Sequence, residues 1–126
     1  MKSIVHTSEA PAAIGPYSQG VFVKDILFVS GQLPIDPRTE RLAPQEIALQ
    51  TKQALENVQA VLESAGYSMS DIVKTTVFMK DLADFPSMNE VYKDFFTRDY
   101  PARAAVQVAR LPKDALVEIE AIAIKQ

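Results

Sequence analysis

Helical periodicity occurs in only two stretches of this chain, and its other apolar residues come in short, mostly β-branched runs. The longer stretch follows Pro44, a residue suited to the first turn of a helix. Ile47, Thr51, Leu55, Val58, Val61, Leu62 and Ala65 recur at helical spacing, with Gln50, Lys52, Glu56 and Glu63 mostly on the other side. Gly66 suits a left-handed cap. The second stretch opens at Pro86 and puts Met88, Val91, Tyr92, Phe95 and Phe96 on one face, and Pro101 excludes its continuation. Strands are expected at 2–6 (short), 21–23, 26–30, Ile72–Met79, 104–108 and 116–124. Lys24 and Asp25 split the second and third of these as a hairpin turn. Residues 15–20 read as a turn-rich loop, and 32–43, with two prolines and several charges, as another.

The order is therefore β β β α β α β β. Two helices cannot cover both faces of a sheet of five or six strands, so they are expected on one face of a mixed sheet, an α+β layer. The other sheet face is too apolar for water and predicts an obligate homo-oligomer. The number of copies does not follow from the pattern.

A length of 126 residues predicts a single domain over 1–126, with apolar and charged fractions (48% and 23%) ordinary for a globular protein. The chain has no cysteine, which excludes disulfides, thiolate metal sites and cysteine nucleophiles. His6 is the only histidine, so a multi-histidine metal site cannot form within one chain; it reads as a satisfied strand residue. No metal or cofactor is expected, and no phosphate-binding glycine loop or dinucleotide fingerprint is present. Without a recognisable targeting segment or membrane-length apolar run, a cytoplasmic protein with no membrane partner is expected. A net charge of −3 without a lysine or arginine cluster argues against a nucleic-acid partner.

Arg103 opens an otherwise small, apolar strand, and Glu118 and Glu120 interrupt the last one. An arginine and a carboxylate on neighbouring core strands are costly unless paired or used to grip something. An internal ion pair is one reading. A guanidinium fork holding a ligand carboxylate is the other. Alternation puts Glu118 and Glu120 on one face with Leu116, Ile122 and Ile124, where the two acids repel unless solvated, paired or protonated. They sit either at a subunit rim or in a cavity where one moves protons. Arg103, Ala105 and Gln107 share a face, and small Ala105 leaves room beside the arginine. Tyr17 packs its loop down or faces a ligand. Ser30 and Gly31 end a strand, where glycine permits close backbone approach to an anion. Asn89 lies beside Tyr92 and Phe96 on the second helix, bonding either backbone or a partner subunit.

Seven motifs occur in order: Gly15-Pro-Tyr-Ser-Gln, Val29-Ser-Gly-Gln, Asn57-Val, Asn89-Glu-Val-Tyr-Lys-Asp-Phe-Phe, Pro101-Ala-Arg, Ala109-Arg-Leu-Pro and Val117-Glu-Ile-Glu-Ala. Together they resemble the Rid (YjgF) family over nearly the whole chain. The resemblance implies a chorismate-mutase-like α+β subunit and a homotrimer whose sheets line a central barrel, with three sites in clefts between subunits. The arginine of Pro-Ala-Arg resembles the RidA branch, which hydrolyses 2-enamine and 2-imino acids to 2-oxo acids and ammonia. By that resemblance Arg103 would grip the substrate carboxylate, and Glu118 would orient water and shuttle its proton. The Ala105 carbonyl would help hold that water. Ser30 and Gly31 would contribute backbone amides or polar contacts, Tyr17 would close the cleft, and Asn89 would sit at its edge. Two departures stand out: alanine at 105 where relatives often have a larger residue or cysteine, and Glu40 where a loop glycine is common.

Two rival readings belong to other classes. A regulatory module would bind a 2-oxo acid or small carboxylate without turnover and would need Arg103 but not Glu118. A ribonuclease or translation inhibitor is opposed by the acidic balance and the scarcity of histidine.

Overall fold

The computed structural model describes all 126 residues, Met1–Gln126. The elements in chain order are β1 (Ser3–Val5), β2 (Gly20–Val23), β3 (Ile26–Gln32), β4 (Ile35–Asp36), β5 (Arg41–Leu42), α1 (Ile47–Ser64), β6 (Ile72–Met79), α2 (Phe85–Tyr92), β7 (Ala102–Gln107) and β8 (Val117–Ile124). Six strands form one mixed sheet in the order β1-β2-β3-β8-β6-β7, in which only β6 and β7 run parallel. Parallel neighbours need a crossover, and α2 supplies it. Because that crossover returns on the far side of β6, β7 becomes a sheet edge. The expected adjacency of the Arg103 and Glu118 strands is therefore incorrect, since β6 separates them.

Alternation decides which side is dry. Leu27, Val29, Val77, Met79, Val117 and Ile119 turn toward α1 and α2 and are buried with Leu55, Val58, Val61 and Leu62. Both helices lie on this one face, as the pattern predicts. On the opposite face Phe28, Val106, Ile124 and Ile26 remain 37–46% exposed, with nothing in the chain covering them. No helix is long and apolar enough to cross a membrane.

Helix α1 begins at Ile47, so Pro44 precedes the helix instead of occupying its first turn. The C-terminus closes as a Schellman motif: Tyr67 N–H donates to the Leu62 carbonyl (2.9 Å) and Gly66 N–H to that of Glu63 (3.0 Å). Gly66 takes the required positive φ, +83°. Helix α2 stops at Tyr92, and a 3₁₀ turn over Lys93–Phe95 carries the chain to Phe96, whose ring packs 5.0 Å from that of Tyr92. His6 falls just outside β1 and is exposed, so it is not a satisfied strand residue.

The expected loop over 32–43 contains the small β4–β5 hairpin. Asp36 nucleates it by accepting from both the backbone and the guanidinium of Arg38, and Glu40 adopts the left-handed conformation (φ 61°) at the turn. Two-residue strands leave no periodic signal.

Gln50, expected on the solvent side of α1, is fully buried. Its amide donates to the Ala43 carbonyl (3.1 Å) and its oxygen accepts from Leu116 N–H (2.9 Å), tying the approach of α1 to β8. Asn57 does the same one face over, donating to the Leu33 and Ile35 carbonyls, both at 2.9 Å. Asn57→Ala takes the side-chain donor from the Ile35 carbonyl and leaves the Leu33 carbonyl with only the Ile35 N–H, and should destabilise the fold by about 1–3 kcal/mol. Urea unfolding at matched protein concentration measures this, and a loss below about 1 kcal/mol, the scale of an average hydrogen bond, would refute it.

Candidate functional site

The predicted site residues assemble in two places, on opposite faces of the sheet. Tyr17, Ser30, Gly31 and Glu118 border one cleft; Arg103 and Asn89 border another, with Ala105 two residues along β7.

The first cleft, about 680 Å³, lies where the 11–19 loop folds over the end of β3. Between Val29 and Gln32 the pairing of β3 with β8 slips by one residue, forming a bulge at Ser30 and Gly31. Ser30 turns its N–H to the Gln19 carbonyl (3.0 Å) and its hydroxyl to the Ser18 carbonyl (2.5 Å). Of the backbone amides or polar contacts expected of Ser30 and Gly31, the Ser30 N–H is thus taken up within the chain. Both its donors are engaged by the loop, leaving only the hydroxyl oxygen as an acceptor. Gln19 fastens that loop from beneath. Its side chain accepts from Thr7 N–H (2.7 Å) and donates to the carbonyls of Thr7 and Pro11 (3.0 and 2.8 Å). Tyr17, 53% exposed, stands on the outer lip.

Glu118 and Glu120 project into this cleft from β8, on one face as alternation requires. Burial pushes the Glu118 carboxyl above its ordinary range, and the Glu120 charge adds to the rise. Lys113 is the only cationic side chain in the lining. It and Asp114 take consecutive left-handed conformations (φ 57° and 58°) in a turn anchored by the Lys80–Asp114 ion pair at 3.1 Å.

The second cleft, about 470 Å³, lies between α2 and the start of β7. Arg103 is in register with Thr75 and therefore faces the helices, whereas Glu118 is in register with Phe78 and faces away. The guanidinium donates to Asn89 Oδ1 at 2.7 Å and lies over the rings of Tyr92 (4.8 Å) and Phe85 (5.2 Å). Such rings hold a cation without neutralising it. Tyr92 is itself fixed by a 2.7 Å hydrogen bond with Thr75, and burial raises its phenol pKa. Arg103 makes no ion pair within the chain, so the internal-pair reading fails. Within the chain the partner of Asn89 is not the expected backbone but the Arg103 side chain, from which its Oδ1 accepts.

Val108 N–H donates to the Met79 carbonyl (2.9 Å), so alternate residues of β7 turn toward β6. The backbone groups of Arg103, Ala105 and Gln107 consequently point to the free edge of the sheet. An arginine fork and an outward carbonyl occupy one edge; an acid with a raised pKa occupies the cleft on the other face. No group of three His, Cys, Asp or Glu side chains is placed to hold a metal ion.

Phe85, Gln19 and Lys113 were not singled out by the sequence reading. Phe85 and Tyr92 are seven residues apart, the spacing of one helix face, and that signal was available. The roles of Gln19 and Lys113 depend on loops that have no period.

The family model described as endoribonuclease L-PSP matches residues 7–125. A RutC family protein of Pyrococcus horikoshii is 53% identical over 126 residues, covering all of both chains. A 2-iminobutanoate/2-iminopropanoate deaminase of Salmonella typhimurium is 51% identical, again over all of both chains. Among solved structures, Escherichia coli TdcF with bound serine superposes with a TM-score of 0.95 at 50% identity, covering 98% of this chain and 99% of that one. Matched over nearly its whole length by the family model and by full-length relatives at half identity, the chain belongs to the YjgF/Rid family.

Proposed function

We propose that this protein hydrolyses reactive 2-imino acids, the tautomers of 2-enamines such as 2-aminoacrylate, to 2-oxo acids and ammonia. The observation that carries the reading is the unneutralised Arg103 fork, aimed by Asn89 and two aromatic rings at the free edge of β7. A guanidinium so held suits a bidentate carboxylate. The deaminase relative at 51% identity supports the same reading.

In this reading the working unit is a homotrimer. The apolar sheet faces line a central barrel, and the Arg103 cleft of one copy meets the Glu118 cleft of the next. The opposite placement of the two clefts on one subunit supports completion by a neighbour, because neither cleft alone holds both grip and acid. The setting is the cytoplasm, where removal of the intermediate protects other enzymes.

Arg103 fixes the substrate carboxylate. Water, placed by Glu118 and the outward Ala105 carbonyl, attacks the iminium carbon. A C–O bond forms and the C=N π electrons pass to nitrogen. Glu118 accepts the proton released by water and delivers it to that nitrogen. The C–N bond then breaks as Glu118, again a carboxylate, takes the remaining hydroxyl proton and C=O forms, releasing the 2-oxo acid and ammonia, to which that proton finally passes. A carboxyl with a raised pKa suits both halves of this proton transfer. Tyr17 closes the cleft over the substrate.

TdcF with bound serine supports a second reading, a module that binds small carboxylates and signals their level. Glu118→Gln separates the two. It should lower kcat by roughly 10²–10⁴-fold, the usual contribution of general acid–base catalysis. Calorimetric binding of a 2-oxo acid should persist. Binding without any wild-type turnover would favour the module.

Arg103→Ala removes two charge-assisted hydrogen bonds of about 1.5–3 kcal/mol each and should lower kcat/KM by roughly 10²–10⁴-fold. A dehydratase-coupled assay of 2-oxo acid release checks this, with light scattering to confirm an intact oligomer. A monomeric or aggregated variant would make Arg103 structural.

The raised pKa of Glu118 also has a stability consequence. A carboxyl that binds its proton more tightly folded than unfolded weakens the fold when ionised. That burden lifts as pH falls through the folded pKa, and no differential remains below the unfolded value. Glu118→Gln should therefore raise the melting temperature near neutral pH and change it little below the ordinary carboxyl value of 4.5. A melting temperature lowered at neutral pH would contradict this.

A further inference from the structure

Gly31 is one of four glycines in the chain. Its backbone does not require glycine, for only Gly15 and Gly66 adopt positive φ. Space is what singles it out. A Cβ built on Gly31 would stand 2.6 Å from Glu118 Oε2, 3.0 Å from its carboxyl carbon and 3.3 Å from its Cγ. All three nearest atoms belong to Glu118, and the first distance is shorter than any non-bonded contact allows. The Glu118 carboxyl therefore lies flat against the β3 bulge, in the space a side chain at 31 would fill.

We propose that Gly31 is a positioning residue for Glu118: its missing side chain forms the seat that fixes where this carboxyl sits and shields one of its sides from water. The seat deepens the function proposed above only in so far as Glu118 carries the proton there; the contact itself does not rest on that reading.

Two physical consequences follow. Lying on backbone, the carboxyl loses hydration, the largest cause of its raised pKa. The seat also limits which rotamers Glu118 can use, with Oε2 turned into the bulge. The charged and titratable groups lining the cleft with it are Glu120 on its own strand, Lys113 from the preceding turn and Tyr17 from the loop. β3 contributes only Ser30, Gly31 and Gln32 to the lining, and Phe78 is its register partner on β6, so neither strand adds a charge there. The bulge stands nearest the carboxyl among the elements that bury it, and the Glu120 charge adds to the effect of that burial.

Gly31→Ala should push Glu118 off the bulge toward water. Carbon-13 NMR of the glutamate carboxyls, with Glu118→Gln to assign the resonance, reads the effect directly. In Gly31→Ala the Glu118 resonance should titrate at lower pH than in wild type. An unchanged or higher midpoint overturns the proposal. A thermal-stability cycle gives a second readout. At neutral pH Gly31→Ala should change stability by a different amount beside Glu118 than in a Glu118→Ala background, where the obstructing atoms are gone. Equal changes in both backgrounds overturn the proposal, as does a Gly31→Ala/Glu118→Ala protein that cannot fold. If Gly31→Ala alone fails to fold while the double variant folds, the seat is upheld. Neither readout uses turnover, so a wild type that does not hydrolyse imines would refute the activity and leave the seat standing or falling separately. Where turnover is present, Gly31→Ala should lower kcat and move its acid limb down in pH while KM holds. A raised KM with unchanged kcat would instead assign Gly31 to substrate contact and overturn the positioning role.

Discussion

Two helices can dry only one face of a six-stranded sheet, and this constraint governs the rest of the molecule. Core side chains must alternate toward α1 and α2, which leaves Phe28, Val106 and Ile124 on an open apolar face. The same alternation sorts the charged residues. Arg103 shares the parity of Thr75 and goes with the helices, while Glu118 shares that of Phe78 and goes to the other side. Placement of a grip and an acid on opposite faces is thus set by strand parity and the parallel crossover, without any contact between the two residues. In the function proposed above, an isolated subunit therefore cannot bring both groups to one ligand.

Irregular segments form the cleft walls, and buried amides hold them. Gln19, Gln50 and Asn57 are almost fully buried, yet each bonds to backbone atoms of a loop instead of a helix or strand ladder. Burying a primary amide is unfavourable unless its hydrogen bonds are replaced. Here the replacement is loop carbonyls, those of Pro11, Ala43 and Leu33 among them. The consequence is rigid loops without additional apolar core, which leaves the cleft lining free to be polar. On the other face aromatic rings serve the same end. Phe85 and Tyr92 fix a guanidinium whose charge remains available, something a carboxylate partner would not permit.

Most of the architecture was legible in the sequence because it rests on period. Both helices, six main strands and the shared face of Glu118 and Glu120 were read correctly from spacing alone, and the α+β arrangement followed by counting. The errors fall where period is absent or ambiguous. Gln50 looked solvent-facing because a polar residue on a helix usually is, and only the loop at Ala43 makes its burial tolerable. The β4–β5 hairpin was too short to register. Sequence order suggests neighbouring strands for Arg103 and Glu118, but the crossover through α2 separates sheet order from sequence order. The candidate residues themselves were found by chemistry: charges inside strand patterns conflict locally with burial, and such conflicts concentrate at functional sites. Their division between two clefts was invisible, since it depends on parity counted across three strands.

The conflict at Glu118 also explains why its surroundings look poorly optimised. A carboxyl pressed against backbone beside a second acid weakens the fold at neutral pH, and a hydrophobic or amide residue there would be more stable. Lys113 does not remove the difficulty, for its ammonium sits on an exposed turn that itself requires two successive left-handed residues. Three unfavourable features therefore converge on one cleft: a bulge, a strained turn and a desolvated acid. Each is individually tolerable because Gln19, Gln32 and the Lys80–Asp114 pair pin the backbone around them. In the function proposed above, a carboxyl with a raised pKa suits a group that must both take and give a proton.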